Sequence, residues 1–444
     1  MAVVLPFAAL RYNPEKVGPL EQVLTQPYDK ITPEMQREYL RRSPFNFAHL
    51  IKGAATAEDT PSDNVYTRAA ASLRAWRRQG ILVQDPSPAY YAYYQTFRPP
   101  EPSPGPLLVR KGFLGLGKLE PYDRGVIFRH EQTLSAPKAD RLELLRATRA
   151  HLESIFLLYS DPERRAEAVL DRAAARPPAV CVTDEYGVEH RLWNVAEPAA
   201  LTELRQAMAD QKLIIADGHH RYETALTFQR ECSATHPGKE ADCSLALMTF
   251  VNMEAEGIVI LPTHRLLKGL EGFHAGDFLS AAGQYFSAQR FAFANDAERA
   301  AAADRLRAAM ANAAPVSFGA LFSGENAFYC LTQRPEADWE QLLPDLIPAQ
   351  RSLDVIVLHR IALERCLGME EEAVRDEKYI TYVRQFEEGV ESVLHKGFQA
   401  CFFLRPAKMQ QVRDIAFAGR VLPQKSTDFY PKLLSGLAFY PLQH

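Results

Sequence analysis

The chain has 444 residues, 47% of them hydrophobic and 24% charged, with a formal net charge of -4. This is an ordinary globular composition with room for two or three domains. The acidic balance argues against a general nucleic-acid binder, which needs a basic face, and no run approaches the roughly 20 apolar residues needed to cross a bilayer.

Residues 1–10 are apolar but are broken by Pro6 and lack a basic leader and a cleavage pattern, so they do not read as a signal peptide. Residues 3–7 read as a first strand. Pro27 biases Gln26 away from helix and makes 26–31 a loop. Thr32-Pro33-Glu34 opens a helix, with threonine at the cap and proline in the first turn, and Pro44 closes it. Residues 65–79 are helical, with Leu73 and Trp76 on one face and Gly80 as the stop. The aromatic run 89–97 is strand-like. Five prolines between Arg98 and Pro106 exclude regular structure. Residues 107–119 then read as the second strand of a hairpin, with Gly112, Gly115 and Gly117 for bends.

Lys138-Ala139-Asp140-Arg141 leads into a helix, and 155–158 is a buried strand. Residues 163–175 are helical, 180–183 and 189–193 form a hairpin, and 201–211 are helical. Two strands are expected at 246–251 and 257–261. An Ala-rich helix follows at 292–314, then paired strands at 316–321 and 327–331, helical periodicity over 355–367 and 377–395, and a buried strand at 400–404. This mixture indicates α+β rather than regular βαβ alternation. The six cysteines are scattered with no Cys-x-x-Cys pair, which predicts reduced, buried thiols in a cytoplasmic protein.

The most informative stretch is Asp217-Gly218-His219-His220-Arg221, between the apolar run 213–216 and an amphipathic segment. It reads as strand, tight turn and helix start. A helix start presents unpaired N–H groups and the positive end of the dipole, an anion site that here carries two imidazoles and a guanidinium. Asp217 would hold a cation or orient a histidine. The alternative is a capped helix whose arginine pairs with a neighbouring carboxylate.

Four further segments carry candidate chemistry. His130-Glu131-Gln132-Thr133, with Lys138, Asp140 and Arg141 behind it, offers acid, base and cation, or a solvated charged loop; it is not the zinc motif H-E-x-x-H, since Leu134 stands at the second histidine's place. Pro262-Thr263-His264-Arg265 follows a strand, where catalytic groups often sit, although a lone histidine there is as readily a packed loop residue. Pro423-Gln424-Lys425-Ser426-Thr427, with Lys432 behind it, would bind phosphate or form a surface loop, and it lacks the glycines of a Walker loop. Asp29 in Pro27-Tyr28-Asp29 is a base, a magnesium ligand or an Asx-turn aspartate. No G-x-S-x-G elbow and no G-x-G-x-x-G fingerprint is present.

Together these segments resemble the domain of unknown function 1015 family. The matching pieces run in order along nearly the whole chain: Pro6-Phe7 to Tyr12, Pro27-Tyr28-Asp29, His130 to Thr133 with Lys138 and Asp140-Arg141, Ala216 to Tyr222, Leu261 to Arg265, and Pro423 to Lys432. Family members often read P-P-Y-D-V in the first loop, where this chain reads Gln26-Pro27-Tyr28-Asp29-Lys30. The G-H-H-R turn resembles the phosphate-binding turn of the ParB/sulfiredoxin-like superfamily, which includes free-serine kinases. His219 stands where sulfiredoxins carry their reactive cysteine, which argues against sulfiredoxin chemistry.

The resemblance implies a ParB/sulfiredoxin-like mixed core with large insertions over 1–270 and a C-terminal α+β region over 271–444 that packs on the core and lends loops to the site. It implies small-molecule phosphotransfer with ATP or ADP and Mg2+, on free serine or in reverse on phosphoserine. Asp29, Glu131, His220 and Asp217 are the expected catalytic groups, with Asp217 also the metal ligand. Gly218, His219, His220, Arg221, Lys138 and Lys425 would hold the nucleotide, and His130, Arg141, His264, Arg265 and Lys432 the substrate. The competing reading is a ParB-like nucleotide switch, or a DNA-associated protein without turnover; metal-dependent nuclease activity is a third by analogy alone. A homo-oligomer is compatible with the sequence.

Overall fold

The computed structural model of the protein describes residues 1–100, 105–131, 136–235, 243–313, 315–375 and 377–442. The chain divides into two compact units. One comprises Met1–Arg129, Thr133–Val259 and Phe429–His444, and the other His130–Gln132 and Ile260–Asp428.

In the first unit, nine strands among the described residues form a mixed sheet. Its order is Ile127–Phe128, Leu213–Asp217, Ile155–Tyr159, Leu245–Asn252, Leu108–Lys118, Tyr90–Phe97, Glu189–Val195 and Val180–Thr183, and Val4–Leu5 pairs with Leu108–Lys118 off this path. Leu213–Asp217 runs parallel to Ile127–Phe128, and Leu245–Asn252 parallel to Ile155–Tyr159. The other pairs are antiparallel. Strands such as Ile155–Tyr159 are buried along their whole length, as a run without polar alternation requires. Leu170, Leu204, Met208 and Tyr222, from three helices, pack into the same core as Ile155, Leu157, Ile215 and Phe250.

The expected hairpin forms, with Tyr91 opposite Leu114 and Phe97 opposite Leu108; residues 101–104 of its loop lie outside the described ones. Its glycines serve close packing rather than bending. A Cβ on Gly112 would come within 2.7 Å of the Phe250 carbonyl oxygen, and one on Gly117 would overlap the Met248 sulfur. Thr32 caps the helix Pro33–Arg42 by accepting from Met35 N–H, and Asn64 caps Val65–Arg78.

Among the described residues, the second unit holds a six-stranded antiparallel sheet, in the order Phe286–Ala292, Ala327–Gln333, Ser317–Phe322, Ala400–Phe403, His264–Leu267 and Ile380–Val383. The helix Asp296–Asn312 buries Ala302, Leu306 and Met310 against this sheet's core. The helix expected over 377–395 is instead a strand, Ile380–Val383, followed by a helix, Phe386–His395. Ile-Thr-Tyr-Val is a β-branched and aromatic run, and an open edge of His264–Leu267 supplies its hydrogen bonds. The helix over 355–367 is an α-helical turn, Asp354–Val357, continuing as the π-helix Leu358–Cys366.

The expectation of six reduced, buried thiols is corrected. Cys232 and Cys243 form a disulfide, and Cys181 is exposed. Scatter along the chain does not report proximity in space: the Cα atoms of this pair are 6.4 Å apart. Among the described residues, no helix is long and apolar enough to cross a membrane.

Candidate functional site

The signature stretch adopts the local structure its residues dictate. Leu213–Asp217 is a strand whose register shifts between Ile215 and Asp217, and the helix His219–Thr235 starts two residues after it ends. Gly218 joins them at φ +91°, a conformation that glycine adopts without steric cost. A Cβ there would also stand 3.0 Å from Arg221 Nε, so the glycine both makes the turn and admits the guanidinium.

Asp217 is the electrostatic centre of this unit's cluster. Arg221 Nη2 donates to its Oδ2 at 2.7 Å and Lys432 Nζ to its Oδ1 at 3.0 Å. Burial works against the Asp217 carboxylate, but Lys432, Arg221 and Lys30 outweigh it and hold the group far below the usual carboxylate range. Burial likewise works against the Arg221 cation, and Glu153, Asp217, Asp29 and Tyr28 more than compensate. Arg221 Nη1 donates to the Ser154 carbonyl at 2.5 Å, while its buried Nε makes no hydrogen bond among the described residues.

Glu153 was not legible as a site residue. Its Oε1 accepts from Tyr28 N–H and from Ser435 Oγ, each at 3.0 Å, and its Oε2 lies 3.9 Å from Arg141 Nη1. The Arg141 guanidinium stacks on the Tyr28 ring at 4.1 Å and donates to Asp140 and to the Ile51 carbonyl. The one available signal was position: a carboxylate two residues before a strand that is buried throughout. Glu153, Ser154, Arg221, Thr249, Tyr93 and Ser435 line a cavity of about 10 Å3, close to the space of one water.

His219 is buried and His220 half-buried at the first turn of the helix. Lys138 makes an ion pair with Glu223 on the same helix, and Asp29 is exposed in its loop. Thus Asp29, Lys138, Arg141, Asp217, Gly218, His219, His220, Arg221 and Lys432 all belong to the first unit.

The other candidates belong to the second unit. His130 is fully buried, with Nε2 2.6 Å from Thr427 Oγ1. Glu131 accepts from the Lys425 N–H and, at 3.5 Å, from Thr427 Oγ1. Lys425 is exposed at φ +54°. Gln132 and Thr133 lie outside the described residues. Arg265 is fully buried and donates to the carbonyls of Thr263, Gln424 and Lys425, which makes it a brace for the 423–427 loop. Burial, Arg265 and Arg307 push the His264 pKa down to about 3. Its Nδ1 accepts from Leu404 N–H and its ring packs on Phe386 and Phe403. His264 follows the strand Val259–Leu261, as expected, and itself opens the next strand, His264–Leu267, where its neutral ring serves packing.

Among the described residues, no three His, Cys, Asp or Glu side chains gather as a metal cage. Each Asp217 oxygen already accepts from a cationic side chain. A divalent ion on this carboxylate would face both cations, so the residues here do not fit the metal expected at Asp217.

Residues 4–356 match the family described as Protein of unknown function (DUF1015). The chain belongs to this family. No curated protein sequence matches this DUF1015 chain. Similar solved structures include a conserved hypothetical protein from Pyrococcus furiosus, at 11% identity and TM-score 0.33, covering 71% of this chain and 92% of that chain. A free serine kinase in complex with AMP is similar at 11% identity and TM-score 0.35, with 72% and 88% covered. SbnI with a C-terminal truncation, from Staphylococcus aureus, is similar at 10% identity and TM-score 0.33, with 74% and 87% covered.

Proposed function

We infer that the DUF1015 chain is a small-molecule phosphotransferase whose signature turn holds a phosphoryl group. The observation that carries this reading is the buried Arg221 Nε, without a hydrogen-bond partner among the described residues, on the first turn of a 17-residue helix entered through Gly218 at φ +91°. A buried donor left unmatched costs about 1–3 kcal/mol, and an anion at the helix start would satisfy it together with the first-turn N–H groups. Phosphoryl transfer needs positioning and charge neutralisation more than covalent chemistry. Gly218, His219, His220 and Arg221 would grip the phosphate, with Lys138 adding charge beside the same helix. Asp217 is too weak a base in its paired state, and its role is to aim Arg221 and Lys432.

The nucleotide would be ATP or ADP. Free serine, or phosphoserine in reverse, is the first acceptor to test because the sequence resemblance points to free-serine kinases. The finer fold reading belongs to the same proposal: a ParB/sulfiredoxin-like core with insertions over 1–270, followed by an α+β region over 271–444. The purified protein is assayed with serine and ATP or ADP in the presence of magnesium, and with phosphoserine in reverse. Turnover that falls at least about 10²-fold in Arg221→Ala supports the reading. No turnover in either direction, with nucleotide binding unchanged in Arg221→Ala, refutes it.

A further inference from the structure

Behind the cavity that Arg221 lines, the first unit holds a buried chain of polar groups that the sequence did not single out. Tyr93 lines the cavity, and its hydroxyl lies 2.7 Å from His190 Nδ1. His190 Nε2 lies 3.2 Å from Asp184 Oδ2. His190 is fully buried and Tyr93 nearly so.

The surroundings fix the direction of these bonds. Arg110, also buried, donates through Nε and Nη2 to Gln95 Oε1. That sets the Gln95 amide so that Nε2 faces the Lys432 carbonyl at 2.8 Å and His190 Nδ1 at 3.4 Å. His190 Nδ1 is therefore an acceptor, and the neutral ring carries its proton on Nε2, toward Asp184. Asp184 is built to remain a carboxylate. Burial raises its pKa, but His190, the Val188 N–H and Gln26 outweigh it and leave the group below its ordinary value. Its Oδ1 accepts from Tyr186 and Val188 N–H, both at 2.9 Å. The Tyr93 hydroxyl then donates to His190 and accepts from Leu434 N–H at 3.2 Å. One lone pair of its oxygen is left over.

We propose that Tyr93 is the proton-handling residue of the cavity, with His190 as the terminal base and Asp184 as its positioning residue, acting on the hydroxyl group of a small substrate. The cavity's size admits one group of about that volume. In the step, the substrate O–H proton passes to the Tyr93 oxygen as the Tyr93 proton passes to His190 Nδ1. The substrate oxygen forms its bond to phosphorus as the bond to the leaving phosphate oxygen breaks. The imidazolium so formed is held by the Asp184 carboxylate and returns its proton along the same chain to the departing product. Burial, only partly offset by Leu434 N–H and Arg110, keeps the Tyr93 pKa above the ordinary phenol value. Tyr93 therefore passes a proton on and does not rest as a phenolate. The step rests on the phosphotransfer reading, and the hydrogen-bond chain does not.

The test pairs kinetics with a readout that needs no substrate. Tyr93→Phe should lower kcat about 10²-fold or more, with KM and inorganic phosphate binding close to wild type. In the 15N spectrum of histidine-labelled wild type, His190 should be neutral with its proton on Nε2, and Tyr93→Phe should shift the Nδ1 resonance. A folded Tyr93→Phe variant with near wild-type kcat overturns the proposal, as does a loss of kcat matched by a loss of phosphate binding. A wild type inert toward every phosphoryl donor refutes the phosphotransfer reading. In that case the relay stands on a wild-type His190 protonated at Nε2, and it falls on one protonated at Nδ1.

Discussion

Asp217 shows how one residue changes meaning between sequence and structure. In sequence it is an acid beside two histidines and an arginine, open to metal, base or orienting roles. In the fold its two oxygens accept from Arg221 and Lys432, so it holds two cations in place. Asp217→Asn should lower stability by about 2 kcal/mol at neutral pH. That is below the roughly 3–5 kcal/mol of a fully buried pair, because the Asp217 side chain is 21% exposed. The depressed pKa means the unfolded state binds the proton more readily than the folded one. The contribution is therefore complete above the unfolded value of about 3.9 and is lost as pH falls from there toward the folded value. Denaturant midpoints of wild type and Asp217→Asn should differ at pH 7 and converge in strong acid; a constant gap across pH would reject the assignment. Asp217 and Arg221 were legible because a strand-turn-helix order concentrates charge where the backbone is open. Glu153, Tyr93 and His190 were not: Tyr93 sits in an aromatic run, Glu153 shortly before an apolar one and His190 between Glu189 and Arg191 in a hairpin strand, and none announces the partners that the fold brings to it.

Elements were legible where local chemistry settles them. Thr32-Pro33 and Gly80 mark real helix boundaries, and the prolines after Phe97 mark a real hairpin. Elements failed where a partner decides. Ile380–Val383 is a strand because His264–Leu267 offers an edge, which no periodicity within 377–395 reports. The glycines of Leu108–Lys118 give a test at this scale. In Gly112→Ala the new methyl meets the Phe250 carbonyl oxygen and Val251 Cγ2, each at 2.7 Å, whereas in Gly117→Ala it meets only the Met248 side chain. Backbone on a neighbouring strand cannot step aside as a thioether can. Gly112→Ala should therefore destabilise by about 3 kcal/mol or more and Gly117→Ala by about 1 kcal/mol, read as denaturant midpoints. Equal losses would mean that these glycines serve backbone freedom and not close approach.

At the scale of the whole molecule, the sequence treats residues 423–432 as one segment, yet 423–428 and 429–432 belong to different units. Contact partners far apart in sequence draw that boundary, and neither composition nor spacing carries them. Charge is legible at this scale, and it separates the two functional readings. The net charge is -4, and it is this balance that argues against a DNA-associated switch. Arg110, Arg141 and Arg265, which a sequence reader would count toward a basic face, are buried. Their donors go to carbonyls, an amide, a carboxylate and the His359 ring. A protein contacting 6–10 phosphates loses about 10³–10⁵ in affinity between 50 and 200 mM salt, so any such binding is strongest at low salt and easiest to see there. The expectation is no retention of duplex DNA at about 50 mM salt, with or without ATP or ADP. Retention that is steeply salt-dependent and changes on adding nucleotide would reverse the order of the two readings, because a phosphotransferase acting on a small hydroxyl compound has no use for either property.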